Sequence, residues 1–285
     1  MLRPLDHLVL ASRNLEAQAA RYTGLGFQVG ARNRHPWGTQ NHIVQLQGAF
    51  LELLGLGAGI AAPADGAPEA PFARFLVGYL GQREGAAMLA LRSADAARDH
   101  AAFAEEGIGH GPLLRFGREA TRPDGARAHV GFELAFARSP HISDAGFFAC
   151  RHLHPENFWS AAQQVHPNTA RTLASVIMVA ENPAQHAEFL AHFTGQREMA
   201  ATSMGLDIDT GGGTVEVLTP LAWRFRTGLE PPPEAQTPAL AGLRIGVADL
   251  ARAAACLGAA AAAHGGALVV APEAAFGAAL LFQPA

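Results

Sequence analysis

The run Leu5-Asp6-His7-Leu8-Val9-Leu10-Ala11 opens the pattern that decides the fold of this 285-residue chain. Its apolar composition predicts a β-strand. Asn14 then suits a helix N-cap, residues 15–25 have helical spacing, and Gly26 ends the helix. Three short runs with the composition of strands follow, at 27–32, 41–47 and 49–54. The first unit is therefore strand–helix–strand–strand–strand.

The same order of elements returns near residue 172. Residues 173–179 predict a strand, Asn182-Pro183 supplies an N-cap with proline at the first helical position, and Gly195 ends the helix predicted over 184–193. Three strand-like runs follow again, at 199–203, 205–210 and 214–219. Internal repeats of this kind indicate a fold assembled from copies of one supersecondary unit.

Two further units fill the gaps between these copies. The second consists of a strand at 86–92, a helix at 95–106 and strands at 112–120, 128–137 and 147–152. The fourth consists of a strand at 243–247, a helix at 249–263 and strands at 267–270 and 278–283. Because only two strands follow its helix, we expect the fourth unit to be truncated.

Segments rich in Gly, Pro and Ala separate the units. Such stretches lie at 55–71, before a short helix predicted over 72–80, and at 229–238. The segment 155–169 divides units two and three and is the best domain boundary. We therefore predict an N-terminal domain over 1–160 and a C-terminal domain over 161–285.

Charge and cysteine content exclude several classes of protein. The formal net charge is −4, which argues against a nucleic-acid partner because such partners usually need a basic face. The two cysteines, Cys150 and Cys256, lie far apart and indicate a reducing, cytoplasmic compartment. The uncharged stretch 253–271 is mostly alanine interrupted by glycines, so we expect a soluble helix and no membrane contact.

The order of the units resembles the vicinal oxygen chelate superfamily, and most closely its glyoxalase-like branch. The residues that carry the resemblance lie at 5–10, 35–41, 50–54, 83–85 and 147–152. The resemblance implies an α+β fold in which four βαβββ modules pair into two vicinal oxygen chelate domains, each a curved mixed sheet with outer helices. It also implies a divalent metal (Fe, Mn, Zn or Ni) held by the first and last strands of paired modules.

His7 and Glu52 lie at the positions where that resemblance implies metal ligands. Strand alternation places His7 opposite Leu8 and Leu10, and Glu52 opposite Leu51 and Leu53. A carboxylate in so apolar a strand needs a partner or a metal. The alternatives are that His7 hydrogen-bonds a neighbouring strand and that Glu52 pairs with Arg34 or Arg127.

The second module departs from the family pattern. The position that matches His7 falls near Met88 or Ala90, and Cys150 is in register with Glu52. His152, two residues further on the same face, is then the best third ligand, its alternative being a surface or supporting histidine. The predicted set of His7, Glu52 and His152 suits Fe(II), Mn(II) or Zn(II).

The loop that begins at His35 supplies candidate substrate-binding residues. Trp37 could stack on a substrate, while Asn41 and His42 could hydrogen-bond it. A structured loop that covers the core edge is the alternative. Arg115 and Arg138 are candidates for binding an anionic group of the substrate, although solvated arginines are commoner at strand edges.

The second half keeps the predicted fold and loses most of these residues. Ser175 takes the place of His7, Leu243 or Ile245 occupies the matching strand of unit four, and Glu216 remains without a nearby histidine in the repeat. We therefore expect the C-terminal domain to be a structural copy or the surface of a homodimer.

The resemblance, together with the placement of His7 and Glu52, implies a glyoxalase-, lyase- or dioxygenase-type enzyme that acts on a small oxygenated molecule. A metal would stabilise charge that develops on the substrate oxygens, and Glu52 or His42 would be the catalytic group that moves protons. The alternative is a binding protein without metal that sequesters an apolar or aromatic compound. The phenylalanine-rich strands around Phe132 and Phe147 favour that alternative.

Overall fold

The computed structural model describes residues 1–57, 66–121, 127–232 and 238–285. Parts of the predicted linkers, residues 58–65 and 233–237, lie outside the described residues. The strands of the first sheet are β1 (Leu5–Ala11), β2 (Asn33–Arg34), β3 (Gln40–Gln45), β4 (Phe50–Gly55), β5 (Gly85–Arg92), β6 (Leu114–Thr121), β7 (Arg127–Ala137) and β8 (Gly146–His152). The strands of the second sheet are β9 (Ala170–Val179), β10 (Ala200–Thr202), β11 (Gly205–Asp209), β12 (Thr214–Leu218), β13 (Ala239–Val247), β14 (Ala261–His264), β15 (Ala267–Val270) and β16 (Ala279–Pro284).

The two eight-stranded sheets have the same topology. The first runs β2-β3-β4-β1-β5-β8-β7-β6, and the second runs β10-β11-β12-β9-β13-β16-β15-β14. In each, the first strands of two modules pair antiparallel at the centre, and each first strand pairs parallel with the last strand of its own module. The α+β fold of four βαβββ modules in two domains is thereby confirmed. The predicted boundary at residue 160 lies between the last strand of one sheet and the first strand of the other.

Seven helices accompany the sheets in the described part of the chain. They are α1 (Leu15–Gly24), α2 (Ala70–Gln82), α3 (Ala96–Glu105), α4 (Pro155–Phe158), α5 (Ala187–Thr194), α6 (Pro220–Thr227) and α7 (Leu250–Leu257). Side-chain caps fix where three of the module helices begin: Asn14, Asp95 and Asp249 each accept a hydrogen bond from the backbone three residues on. The module helices and the convex faces of both sheets form one shared hydrophobic core.

The concave face of each sheet is covered by a helix that links two modules. Phe72 and Leu76 of α2 pack on the concave face of the first sheet, and Trp223 of α6 packs on that of the second. The sequence predicted a shorter helix in place of α2 and no helix in place of α6. The first of these linking helices matters for function because its Phe72 lines the cavity described below.

The fourth module is complete, so its predicted truncation is wrong. The helix predicted to reach residue 263 ends at Leu257, and a 3₁₀ turn leads into β14. Strand β14 pairs with β15 through the turn at Gly265-Gly266. Alanine has a high helix propensity, but the pairing available at the sheet edge overrides that preference.

Residues 27–32, predicted as a strand, contain no strand. Gly30 N–H donates to the carbonyl of Ile43 at 2.9 Å, and the ladder itself begins only at Asn33. Among the described helices, none combines the length and the apolar composition that a bilayer crossing requires.

Candidate metal and substrate site

A narrow cavity lies between the concave face of the first sheet and α2. Its empty space is about 460 Å³, within which the centre of a water molecule can move through about 40 Å³. The aromatic lining residues are Trp37, Phe50, Phe72, Phe116, Phe132, Phe148 and Phe158. The polar lining residues are His7, His35, Asn41, Glu52, Arg118 and Cys150.

His7 on β1 turns one nitrogen toward Asp6 and the other toward Glu52. Its Nδ1 lies 2.7 Å from Asp6 Oδ2, and its Nε2 lies 3.7 Å from Glu52 Oε2. Because an ionised carboxylate can only accept, Nδ1 carries a proton that it donates to Asp6, and Nε2 faces the cavity. The ring also stacks on Phe50 at 4.2 Å between centroids, so its orientation is fixed.

Asp6 is fully buried behind His7 and is held by two further side chains. His152 Nε2 lies 3.1 Å from Asp6 Oδ2, and Arg92 Nε lies 3.4 Å from Oδ1. Burial alone would raise the pKa of Asp6, but the neighbouring His152 and His7 hold that pKa well below its usual range. Asp6 therefore stays ionised and orients His7, as carboxylates behind histidine ligands of metals do.

Glu52 on β4 receives its contacts from the opposite wall of the cavity. Asn41 Nδ2 donates to Glu52 Oε1 at 2.5 Å, and His35 Nε2 lies 3.6 Å from the same oxygen. The two oxygens of one carboxylate therefore face two different histidines. Arg34 and Arg127, the predicted alternative partners, form no ion pair with Glu52 in the described ranges.

His35 is held as a neutral imidazole. Its Nδ1 lies 2.6 Å from Thr39 Oγ1, and its Nε2 accepts from Asn41 at 3.4 Å, which assigns the proton to Nδ1. Burial lowers the pKa of His35 to about 4, although the Glu52 carboxylate opposes that shift. A neutral imidazole is the protonation state in which histidine binds a metal.

Among the described residues, Asp6, His7 and Cys150 are the three whose ligand atoms all lie within 4.8 Å of one another, a criterion that His7, His35 and Glu52 together do not meet. The Asp6 oxygens already accept from three side chains, however. Burial, with Asp6 and Glu52 nearby, raises the pKa of the Cys150 thiol well above 9.0, so this sulfur remains protonated. The register confirms that Cys150 matches Glu52 and that Ala90 matches His7.

The structure brings some of the predicted site residues together and not others. His7, Glu52, Trp37 and Asn41 all line the cavity. His152 does not line it; its ring contacts Asp6 and stacks on Trp159. It therefore supports His7 from behind, which is the alternative role considered for it.

His42, Arg115 and Arg138 also lie away from the cavity. On β3, Asn41 and Ile43 line the cavity and His42 faces the other side, where its Nδ1 contacts the carbonyl of Gly30 at 2.8 Å. Arg115 is largely exposed and lies 3.7 Å from Glu133, and Arg138 lines a separate groove beside α2. Their predicted roles receive no support from this placement.

His35 and Arg118 line the cavity and were not predicted as site residues. His35 belongs to the loop that the sequence singled out, but its turn toward Glu52 depends on the loop fold. Arg118 lies two residues after Phe116 on β6 and therefore shares its concave face. Alternation with Phe116 was the signal that could have distinguished Arg118 from Arg115.

The equivalent position in the second half contains an ion-pair cluster. Glu216 accepts from Arg244 Nε at 2.7 Å, from Arg226 Nη1 at 2.8 Å and from the Ser175 hydroxyl. The register confirms Ser175 as the equivalent of His7. It corrects the fourth module, where the matching concave residue is Arg244 instead of Leu243 or Ile245.

The fold and the cavity define a vicinal oxygen chelate protein. The model of the glyoxalase-like domain family matches residues 5–194, which is more than half of the chain, so the chain belongs to that family. No curated protein matches the sequence.

Three solved structures illustrate the similarity of fold. A hypothetical protein from Staphylococcus aureus matches with a TM-score of 0.68 and 11% identity over 99% of both chains. A Mn(II)-bound glyoxalase from Novosphingobium aromaticivorans has a TM-score of 0.55 and 10% identity over 99% of this chain and 81% of its own. A mutant 4-hydroxymandelate synthase from Streptomyces coelicolor has a TM-score of 0.52 and 15% identity over 90% and 74%. At these identities the similarity shows the fold alone.

Proposed function

We propose that the protein is a metal-dependent enzyme of the vicinal oxygen chelate type, acting on a small oxygenated molecule in the N-terminal cavity. The observation that carries the proposal is that His7 Nε2 and His35 Nε2 each approach one oxygen of the Glu52 carboxylate, at 3.7 and 3.6 Å. Two imidazoles and one carboxylate are a donor set suited to Fe(II), Mn(II) or Zn(II).

The chemistry of the donors fits a divalent metal. His7 is oriented by Asp6, His35 is neutral, and the Oε2 atom of Glu52 accepts no hydrogen bond from a described residue. His35 takes the place of His152 as the third proposed ligand, because His152 Nε2 is occupied by Asp6. A metal held by these residues would act as a Lewis acid on substrate oxygens. The names of the similar proteins, a Mn(II)-bound glyoxalase and a hydroxymandelate synthase, support this general chemistry.

The surrounding side chains prepare the cavity for such chemistry. The aromatic walls leave little room for water, which strengthens the electrostatic interactions inside. Asn41, itself held by Asn33 at 3.2 Å, fixes the carboxylate of Glu52. Glu52 is the described acidic group in the lining, so it is also the proposed base for a proton on a bound substrate.

Metal analysis tests the proposal directly. The wild-type protein, His7→Ala and Glu52→Gln are purified, reconstituted with Mn(II), Fe(II) or Zn(II), and analysed by elemental mass spectrometry. The wild type is expected to retain about one metal per chain and both variants to lose it. His129→Ala is the matched control, since His129 is exposed and pairs with Glu119. A wild type that retains no metal after reconstitution contradicts the proposal.

A second candidate function is binding without turnover. The seven aromatic side chains of the lining favour it, since they could hold an apolar ligand without a metal. Equal ligand affinity in the presence and absence of a chelator would support this second function over the first.

A further inference from the structure

The hydrogen-bond donors of the cavity are mostly satisfied, and two are not. His7 Nδ1, His35 Nδ1 and the Asn41 amide all have acceptors within the protein. The indole Nε1 of Trp37 is buried and has no hydrogen-bond partner among the described residues. The guanidinium of Arg118 forms no ion pair or hydrogen bond with the described part of the chain.

Arg118 lies on the inside of the sheet in spite of its charge. Burial lowers its pKa below the ordinary 12.5, and the Glu52 carboxylate opposes that shift. Glu52 itself receives its hydrogen bond from Asn41. Arg118 is partly buried and forms no ion pair with the described residues, so its guanidinium is available to an anionic ligand.

The position of Arg118 also separates two spaces. Arg118, Ile43 and Phe158 line both the aromatic cavity and a larger outer groove of about 1700 Å³. The lining of the groove includes charged and amide side chains, whereas that of the cavity is mostly aromatic. Arg118 therefore lies where the aromatic cavity and the outer groove adjoin.

The unused groups are both donors, so the complementary ligand must supply acceptors. Arginine forms bidentate pairs with carboxylates, and the indole N–H can donate to a further oxygen. Phe116, Phe132 and Phe148 offer flat apolar surfaces, against which an aromatic ring packs well.

We infer that the substrate is an aromatic carboxylate, whose anionic group binds Arg118 at the mouth of the cavity. Its ring packs against the phenylalanines that line the cavity, and its oxygenated end points toward His7 and Glu52. This inference rests on the proposed function only for which end of the substrate reacts. The anion site depends on Arg118 and Trp37 alone.

A pair of probes that differ only in charge tests the inference. 3,4-Dihydroxybenzoate carries vicinal oxygens and a distal carboxylate, and 3,4-dihydroxybenzamide replaces that carboxylate with a neutral amide. Binding of each is measured by calorimetry on the full chain, with and without Mn(II). Wild type is expected to prefer the acid by about 10- to 100-fold, the range for a hydrogen-bonded charged group.

Variants of two arginines on the same strand separate the anion site from general charge. Arg118→Gln is expected to abolish the preference for the acid, and Arg118→Lys to keep part of it. Arg115→Gln is the matched control, since Arg115 is exposed on the other face of β6, and it should keep the full preference. The inference is overturned if Arg118→Gln keeps the preference, if wild type shows none, or if neither probe binds at millimolar concentration.

The same experiment distinguishes failure of the inference from failure of the proposed function. If wild type binds no metal, the metal-dependent function fails, but the acid preference of the metal-free protein still decides the role of Arg118. If metal binds normally to Arg118→Gln and the acid preference is unchanged, the inference fails while the proposed function stands.

Discussion

Glu52 and Glu216 occupy the same position in the first and third modules, and each is about 5% exposed. Glu52 accepts one hydrogen bond, from Asn41, and otherwise faces two imidazoles. Glu216 is neutralised by Arg244 and Arg226. The comparison teaches that two equally buried glutamates at equivalent positions can have different roles. The Glu52 carboxylate remains open to a ligand, and the Glu216 carboxylate stabilises the fold.

The difference arises from the residues that each repeat places opposite its glutamate. His7 is replaced by Ser175, and Ala90 by Arg244. A small alanine leaves space in the first sheet, whereas an arginine fills that space in the second with its own counter-ion. Glu216 therefore has no need of a metal.

The comparison predicts its largest effect, on the free energy of unfolding, for the loss of the Glu216 carboxylate. Glu216→Gln leaves two partly buried arginines without a full counter-charge and should lower the free energy of unfolding by about 2–3 kcal/mol. Glu52→Gln, the matched variant, should change it by less than about 1 kcal/mol because Glu52 has no arginine pair. Urea titrations of both variants check the contrast, and equal losses would remove it.

The next effect concerns the support of His7. Asp6→Asn keeps the shape of the side chain but weakens its hold on the His7 Nδ1 proton, and is expected to lower the affinity for Mn(II) by about 10- to 100-fold. Asp99→Asn is the control, since Asp99 is a buried carboxylate paired with Arg3 at 2.8 Å and does not line the cavity. Calorimetry with Mn(II) measures both, and an unchanged affinity in Asp6→Asn would contradict the supporting role.

The smallest expected effect is a pH dependence of the stability that Glu216 contributes in the second half. Burial would raise the pKa of Glu216, but Arg244, Ser175 and Arg226 together hold it below its ordinary 4.5. Its contribution to stability is therefore present above pH 4.5 and is lost as the pH falls through the lowered folded-state pKa. The difference in unfolding free energy between wild type and Glu216→Gln should shrink below that pH. A difference that stays constant from pH 7 to pH 3 would argue against this ion-pair cluster.

Most of the fold could be predicted because its signals are local and repeated. Asn14, Asp95 and Asp249 cap helices at equivalent places, and the apolar runs between them recur in one order. The fourth module was mispredicted at residues 261–264, where the local helix preference and the pairing with the neighbouring strand disagree. Its alanines favour a helix, and only the edge of β15 makes them a strand.

The site could be predicted only in part, for a different reason. His7 and Glu52 stand out because each is a polar residue on an apolar strand. His35 and Arg118 do not stand out: a loop carries the first, and both faces of β6 carry polar residues. Sequence alternation tells which residues share a face, but only the sheet curvature tells which face is concave.

The central claim is that Glu52 in the first half holds a divalent metal, and that the equivalent Glu216 in the second half does not. Titration of Mn(II) into wild type, Glu52→Gln and Glu216→Gln, followed by calorimetry on samples shown to be folded by circular dichroism, tests it most directly. We predict about one site per chain in wild type and in Glu216→Gln, and none in Glu52→Gln. Equal binding by Glu52→Gln and wild type would contradict the claim.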